Sequence, residues 1–451
     1  MTDIDVSDLL LCSSGTATFG ATLISVNVDR INMEVPEMTT EIRRGGHRRR
    51  WPTPLRHDGR DYLTTAQVAR VLGVKTQTVY AYASRGTLTS ARIDGVSGSL
   101  FAVDEVDAVA RRSSSRPPAG VVERIRTQIT LLENDHLYYR GHDATVLAGD
   151  TRFETVAELL WDHSTTWDVK LLPAKVFRQI SALQPPTGRG VDTIKMVVDV
   201  LGSRDASRHQ RSPDAICARA AGILANSVEA LPLLSDKPAL DTSLAARLWP
   251  RLSTITPTRQ RIRLLNMALV LLADHDLTSG TVAARVAASS RGSIYSVVTS
   301  GLGALDGSLH GGASTLAYRF LREATTNPTA AISMELEASG SIPGCGHVVY
   351  TDHDPRSDTL LTALDDASGG NRKVMPTVAG LRPLLDRAGA GFMNSDMALA
   401  ALALRYDMAP DAAETIFALS RIAGWVAHAI EEYNEPQLRF RPEGVYVGIR
   451  P

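Results

Sequence analysis

Four segments of this 451-residue chain gather side chains that acid–base chemistry uses and a helical core does not ask for. His275 stands between two acids in LLADHDLTSGT. His310 stands among glycines in GALDGSLHGGAS. His347 follows Gly346 in GCGHVVYTDHDPR, where Arg356 follows Pro355. Asp396 enters an apolar helix in FMNSDMALAAL, and two further cations follow, Arg421 and, in RFRPEGVY, Arg441. Taken singly, each histidine reads as a loop or satisfied core residue. His275, His310, His347 and Asp396 are also types that ligate metal, but no pair has the short spacing that two ligands on one helix need, so no metal site is expected.

These residues need a scaffold, and the sequence from about residue 121 to 451 predicts a helical one. Long Ala/Leu/Val segments recur between Pro and Gly breaks, with little strand alternation. SRIAGWVAHAIEEY is the clearest case: Ile422, Val426, Ala429, Ile430 and Tyr433 share one stripe, while Arg421, Trp425 and His428 line another face. There is no internal repeat, no GxxxxGK[ST] phosphate loop and no Cys/His zinc pattern.

A smaller unit precedes the scaffold at residues 61–112. Thr64 or Thr65 is placed to cap a first short helix ending at Gly73, and Thr76 to cap a second, QTVYAYAS. A β-like SLFAV and a helix DEVDAVARR follow. Two short helices across a Gly-containing turn make a helix-turn-helix. Val79 and Tyr82 are expected inward; Lys75, Gln77, Thr78, Tyr80 and Arg85 are the outward candidates for DNA. Residues 60–116 hold eight Lys or Arg against five Asp or Glu, a thin surplus for phosphate binding. RRSSSRPPAG makes residues 113–120 a linker by composition. Residues 1–60, with EIRRGGHRRR, read as a disordered basic arm that either seeks phosphate or merely solubilises, unless translation begins at Met33 or Met38.

Composition narrows the class. With 44% hydrophobic and 22% charged residues the chain reads as globular protein of more than one domain. A net charge of −1 excludes a general polyanion binder. Three scattered cysteines, an acidic start and no apolar run of about 20 residues point to a cytoplasmic protein without membrane contact.

Residues 61–112 resemble the winged helix-turn-helix of the MerR and excisionase type, whose second helix enters a major groove. The four polar segments together resemble citrate synthase. SLHGGAS is similar to that family's PLHGGAN, GHVVYTDHDPR to GHxVYxxxDPR, NSDMALA more loosely to NVDFxxG, and FALSRIAGWVAHAIEE to FAISRIAGWxAHxxEQ. Upstream, LYYRGHDATVLAGDTRFETVAELLW is similar to LxYRGYDIxxLAxxxxFEEVAxLLW. The likeness runs from about residue 125 to 450.

That resemblance implies an all-α fold with a large and a small helical domain, the latter at about residues 312–406, and a homodimer. It implies condensation of acetyl-CoA with oxaloacetate, followed by thioester hydrolysis, with acetyl-CoA as co-substrate and no further cofactor. Asp396 would be the base, His310 the donor to the thioester oxygen and His347 the group polarising the keto carbon. His275, Arg356, Arg421 and Arg441 would hold the dicarboxylate. A helix start disfavours imidazolium and suits a neutral donor at His310. Departures are specific: Thr351 stands where the family often has a cation for a CoA phosphate, leaving Arg372 and Lys373 as substitutes. Ser308 and Ser314 replace Pro and Asn beside the first histidine, Met397 replaces an aromatic, and LTSGT replaces LNAST. Such changes would act on the acyl chain, with propionyl-CoA and 2-methylcitrate synthesis as the neighbouring reaction. The remaining alternative is a DNA-binding regulator whose enzyme-like body only senses these ligands.

Overall fold

Thr64 and Gln67 begin the first helix by exchanging hydrogen bonds. The Gln67 amide donates to Thr64 Oγ1 at 3.3 Å, and the Thr64 amide donates to Gln67 Oε1 at 2.8 Å. This is a capping box, written T-x-x-Q in the sequence. The computed structural model describes residues 54–112, except 58, 59, 73, 94, 95 and 97, and residues 125–440, except 186, 308 and 309. The chain divides into two compact units with the boundary at residues 116 and 117.

In the first unit the helix Thr65–Leu72 packs on the helix Thr76–Ser84. Thr76 is not the cap its position suggests: it is the first helical residue, Lys75 takes the cap position, and no side chain caps there. Val79 is fully buried and Tyr82 half-buried, as expected. SLFAV supplies the strand Leu100–Ala102, and DEVDAVARR the helix Val103–Arg112. The antiparallel sheet also takes in Leu55–His57, which pairs with Arg60–Thr64, so it starts upstream of residue 61. The rest of the basic arm, Gly73 and the linker lie outside the described residues.

The second unit holds fifteen helices among the described residues, and a small sheet that the sequence reading had passed over. Strands Thr130–Glu133 and His136–Tyr139 pair with Glu133 opposite His136. Asn134 and Asp135 make the two-residue turn, both in the left-handed region at φ 51° and 58°, which Asn and Asp tolerate.

The core forms around the helix Ala412–Tyr433. The expected stripe holds in part: Ile422, Val426 and Ala429 are fully buried, Ile430 and Tyr433 half-buried. The other face is buried too, with Arg421, Trp425 and His428 each at 0% exposure, so this helix is enclosed rather than amphipathic. Small neighbours permit it. A Cβ on Gly301 would lie 2.5 Å from the Trp425 ring, and one on Gly424 would lie 2.2 Å from the Asp274 carboxylate. Five helices, Gly311–Ala324, Pro328–Ser339, Pro355–Asp365, Val374–Ala388 and Ser395–Arg405, pack largely on one another. Three of them begin at His310, Asp354 and Asn394 in the cap position.

Candidate active site

His310 is the cap residue of Gly311–Ala324. Its amide donates to Gly307 O at 2.9 Å, and its carbonyl accepts from Ala313 N at 3.1 Å. Gly311 lets the chain pass close to the preceding helix, since a Cβ there would lie 2.7 Å from Leu305 O. The His310 ring stands edge-on to Phe417 at 5.6 Å, and its Nε2 is buried without a partner among the described residues. Burial, then the charge of Arg421, lowers its pKa to about 4.

His347 and His275 meet edge-on, ring centroids 5.1 Å apart. His347 Nδ1 accepts from the amides of Val349 at 3.1 Å and Tyr350 at 3.4 Å. Amides only donate, so the proton of the neutral ring sits on Nε2. Burial and Arg356 lower this imidazole to about 4. His275 is buried, its Nε2 3.0 Å from Tyr350 Oη, and burial followed by Arg356 and Arg421 holds it well below the ordinary histidine range. All three imidazoles are therefore neutral at physiological pH.

Asp396 lies in the first turn of Ser395–Arg405. Asn394 fixes that turn: it accepts from the Asp396 amide at 2.9 Å and donates to Gly346 O at 2.8 Å, tying the carboxylate to the segment that carries His347. Ser314 donates a hydrogen bond to Asp396 Oδ1. Burial raises the carboxyl, opposed by Ser314, Arg356 and Arg421.

The two described arginines differ. Arg356 gives Nε and Nη2 to Asp354 at 2.9 and 2.8 Å and lies 5.3 Å from the Tyr350 ring. Asp354 also caps its helix and accepts from Ser395 N at 2.9 Å. Burial alone would raise the Asp354 carboxyl; Arg356 holds it below the usual range. Arg421 gives only Nε, to Leu272 O at 2.9 Å. Its Nη1 and Nη2 are buried with no partner among the described residues, and burial lowers the guanidinium to about 10. The two unmet Nη groups of this cation, beside three neutral imidazoles and a carboxylate, form a cluster suited to an anion that also carries a polarisable carbonyl.

Residues 120–443 match the family described as "Citrate synthase, C-terminal domain", and residues 62–114 match "Helix-turn-helix domain". The chain belongs to the citrate synthase family. It is similar to citrate synthase 2 of Bacillus subtilis, 27% identical over 74% of this chain and 96% of that one. It is similar as well to 2-methylcitrate synthase of Shewanella oneidensis, 26% identical over 70% and 89%. The solved citrate synthase of Thermotoga maritima superposes with a TM-score of 0.60, 26% identity and coverage of 72% and 94%. That of Thermoplasma acidophilum, a complex with carboxymethyl coenzyme A and oxaloacetate, gives 0.60 at 22% identity, with the same coverage. The fold is the all-α citrate synthase fold preceded by a helix-turn-helix, and the chain is an acyltransferase-type condensing enzyme.

This citrate synthase-family chain brings His275, His310, His347, Asp396, Arg356 and Arg421 into one cluster within its helical unit. Arg441 lies outside the described residues. Arg372 and Lys373 do not join this cluster. They are exposed in a loop bonded to Arg405 O, at the far end of the helix that begins beside Asp396, about 15 Å away at 1.5 Å per residue. Thr351 offers no cation; its amide and that of Asp352 donate to Asp135 at 2.8 and 2.7 Å. In the first unit Lys75, Gln77 and Tyr80 are exposed and Thr78 is partly so. Arg85 turns back on its own helix, donating to Ala81 O at 3.0 Å.

Sequence reasoning assigned nothing to Asp354 or Tyr350, although the Asp-Pro-Arg order was a legible signal of a capped helix start. It treated Ser314 only as a departure. It also missed the support beneath His275. Arg285 donates to His428 Nδ1 at 2.7 Å, which leaves the His428 proton on Nε2, 3.4 Å from Asp274 Oδ2. Asp274 also accepts from Thr130 Oγ1 at 2.6 Å.

Proposed function

We propose that the chain condenses acetyl-CoA with oxaloacetate and water to give citrate and CoA. Asp396 removes a proton from the thioester methyl group, a very weak carbon acid. His310, neutral and unpartnered, donates to the oxygen on which enolate charge grows. His347 donates through Nε2 to the keto oxygen of oxaloacetate while the enolate attacks its carbon. Water then cleaves the thioester. Arg421 receives a carboxylate on its free fork, with His275 beside it; Arg356 adds field and reaches the substrate only in exchange with Asp354. Arg441 completes the dicarboxylate grip, and Arg372 and Lys373 meet the CoA phosphates. No step calls on a metal, since arginines and imidazoles meet each charge. The helices at about residues 312–406 act as a small domain whose closure excludes water.

The observation that carries this reading is the unpaired, buried Arg421 fork beside three uncharged imidazoles. The test is a thiol-release assay with oxaloacetate and either acetyl-CoA or propionyl-CoA. Release with acetyl-CoA is expected. Faster release with propionyl-CoA makes the chain a 2-methylcitrate synthase, a reading the Shewanella relative favours. No release with either makes the body a sensor.

The first unit binds DNA through Lys75, Gln77, Thr78, Tyr80 and Arg85, and a homodimer of the body presents two such units as paired half-sites. Exposed Val282 and Val286, on the small-residue helix Ser279–Ser289, support a subunit contact. A salt-dependent gel shift that is lost without residues 1–116, and a dimer mass in sedimentation, are the expected results. A shift that survives the truncation rules the unit out as the DNA contact.

A further inference from the structure

We infer that Ser314 is the positioning residue of the base: its hydroxyl fixes Asp396 Oδ1 and leaves Oδ2 to take the substrate proton. This rests on the reading of Asp396 as base. Ser314 is fully buried, in the first turn of the helix that His310 caps, four residues after that histidine. Asp396 is in the first turn of the facing helix. One hydrogen bond therefore joins two helix starts, the one carrying the donor to the thioester oxygen and the one carrying the base.

A serine hydroxyl has one proton to give, and a carboxylate only accepts. The bond is thus strongest while Asp396 is ionised, so Ser314 favours the form able to act as base. When the methyl C–H breaks, the proton passes to Asp396 Oδ2. The electron pair moves to the thioester oxygen facing His310. The bond to Oδ1 keeps the carboxyl from rotating during the transfer. The other charged groups facing Asp396 are Arg356 and Asp354 on one helix start and Arg421 on the enclosed helix. None of them is altered by a change at Ser314.

The test is the pH profile of kcat/KM in the full-length protein. In Ser314→Ala the acid limb should move to higher pH by about one unit, a loss of about 1.4 kcal/mol of preference for the carboxylate. The pH-independent kcat should fall about tenfold, with KM for oxaloacetate within about twofold. Ser314→Cys, near-isosteric and a weak donor, should move the limb the same way; Ser314→Thr, which keeps the hydroxyl, should restore it. An acid limb that stays in place in both Ala and Cys variants overturns the assignment. Asp396→Asn keeps the two failures apart: turnover in that variant sinks the base itself, whereas a dead Asp396→Asn with an unmoved Ser314→Ala limb sinks only the role of Ser314.

Discussion

The two compact units satisfy their polar groups in different ways. The first does so at or near its surface. Thr64 and Gln67 close a capping box, Arg60 pairs with Asp104 at 2.7 Å in solvent, and the Thr89 amide donates to Glu105 at 2.7 Å, all around a small core that includes Leu63, Val79 and Phe101. The second buries charge and leaves part of it unmet among the described residues, including both Nη groups of Arg421, His310 Nε2, Asp274 Oδ1 and Arg285 Nη2. An unsatisfied buried polar group costs about 1–3 kcal/mol. Folding rules alone explain the first unit. In the second, unmatched polar atoms are scattered, and at Arg421 and His310 they coincide with histidines and a carboxylate whose titration is displaced, as expected where a ligand completes the structure.

The strongest way to break the contrast is at Arg356, the arginine of the cluster that is paired. Asp354→Asn leaves Arg356 buried without its anion and should destabilise the folded protein by about 3–5 kcal/mol, read as a lower urea midpoint. A midpoint within 1 kcal/mol of the parent would mean the pair is not a structural element. Arg421→Met should do the reverse. Removing an unpaired buried charge should raise the ligand-free Tm, while kcat/KM for oxaloacetate falls about a hundredfold and oxaloacetate no longer shifts the Tm. A lower Tm would show that Arg421 belongs to the fold rather than to the ligand.

Acid gives a third handle. His310 and His347 stay neutral in the folded protein down to about pH 4, whereas an unfolded histidine protonates near 6.5. Between those values the unfolded chain binds more protons, so stability should fall as pH drops from about 6.5 to about 4 and gain no further loss from these groups below that. The double variant His310→Gln, His347→Gln should flatten this slope in denaturant titrations; an unchanged slope would place the cause elsewhere. The smallest effect belongs to the first unit. Thr64→Ala should cost it about 1 kcal/mol, seen as proteolysis of that unit about five times faster, with thiol release unchanged.

Much of this was legible because local rules and motif spacing report directly. Thr64 or Thr65 was expected to cap the first helix, and the bonds with Gln67 place that cap at Thr64; the two histidine motifs singled out His310 and His347, which lie in the same helical unit. What stayed hidden depends on three-dimensional proximity. The Ala412–Tyr433 pattern gave one stripe, but only neighbours such as Gly280 and Gly301 show that the opposite face is buried as well. Arg356 and Arg421 look alike in sequence; only the contact with Asp354 separates a filled fork from an empty one. Thr76 was misread because a threonine before an apolar run is equally a cap or a first helical residue, and the upstream strand Leu55–His57 is too short to show alternation.

The enclosed helix has a consequence for motion. Hydrogen exchange follows the free energy of opening, and a segment packed on every side opens last. The amides around Phe417 and Arg421 should therefore be among the slowest in the molecule to exchange. Substrate would meet a stationary guanidinium and a stationary aromatic wall on that helix, and the adjustment on binding would fall to the helix starts at His310, Asp354 and Asn394.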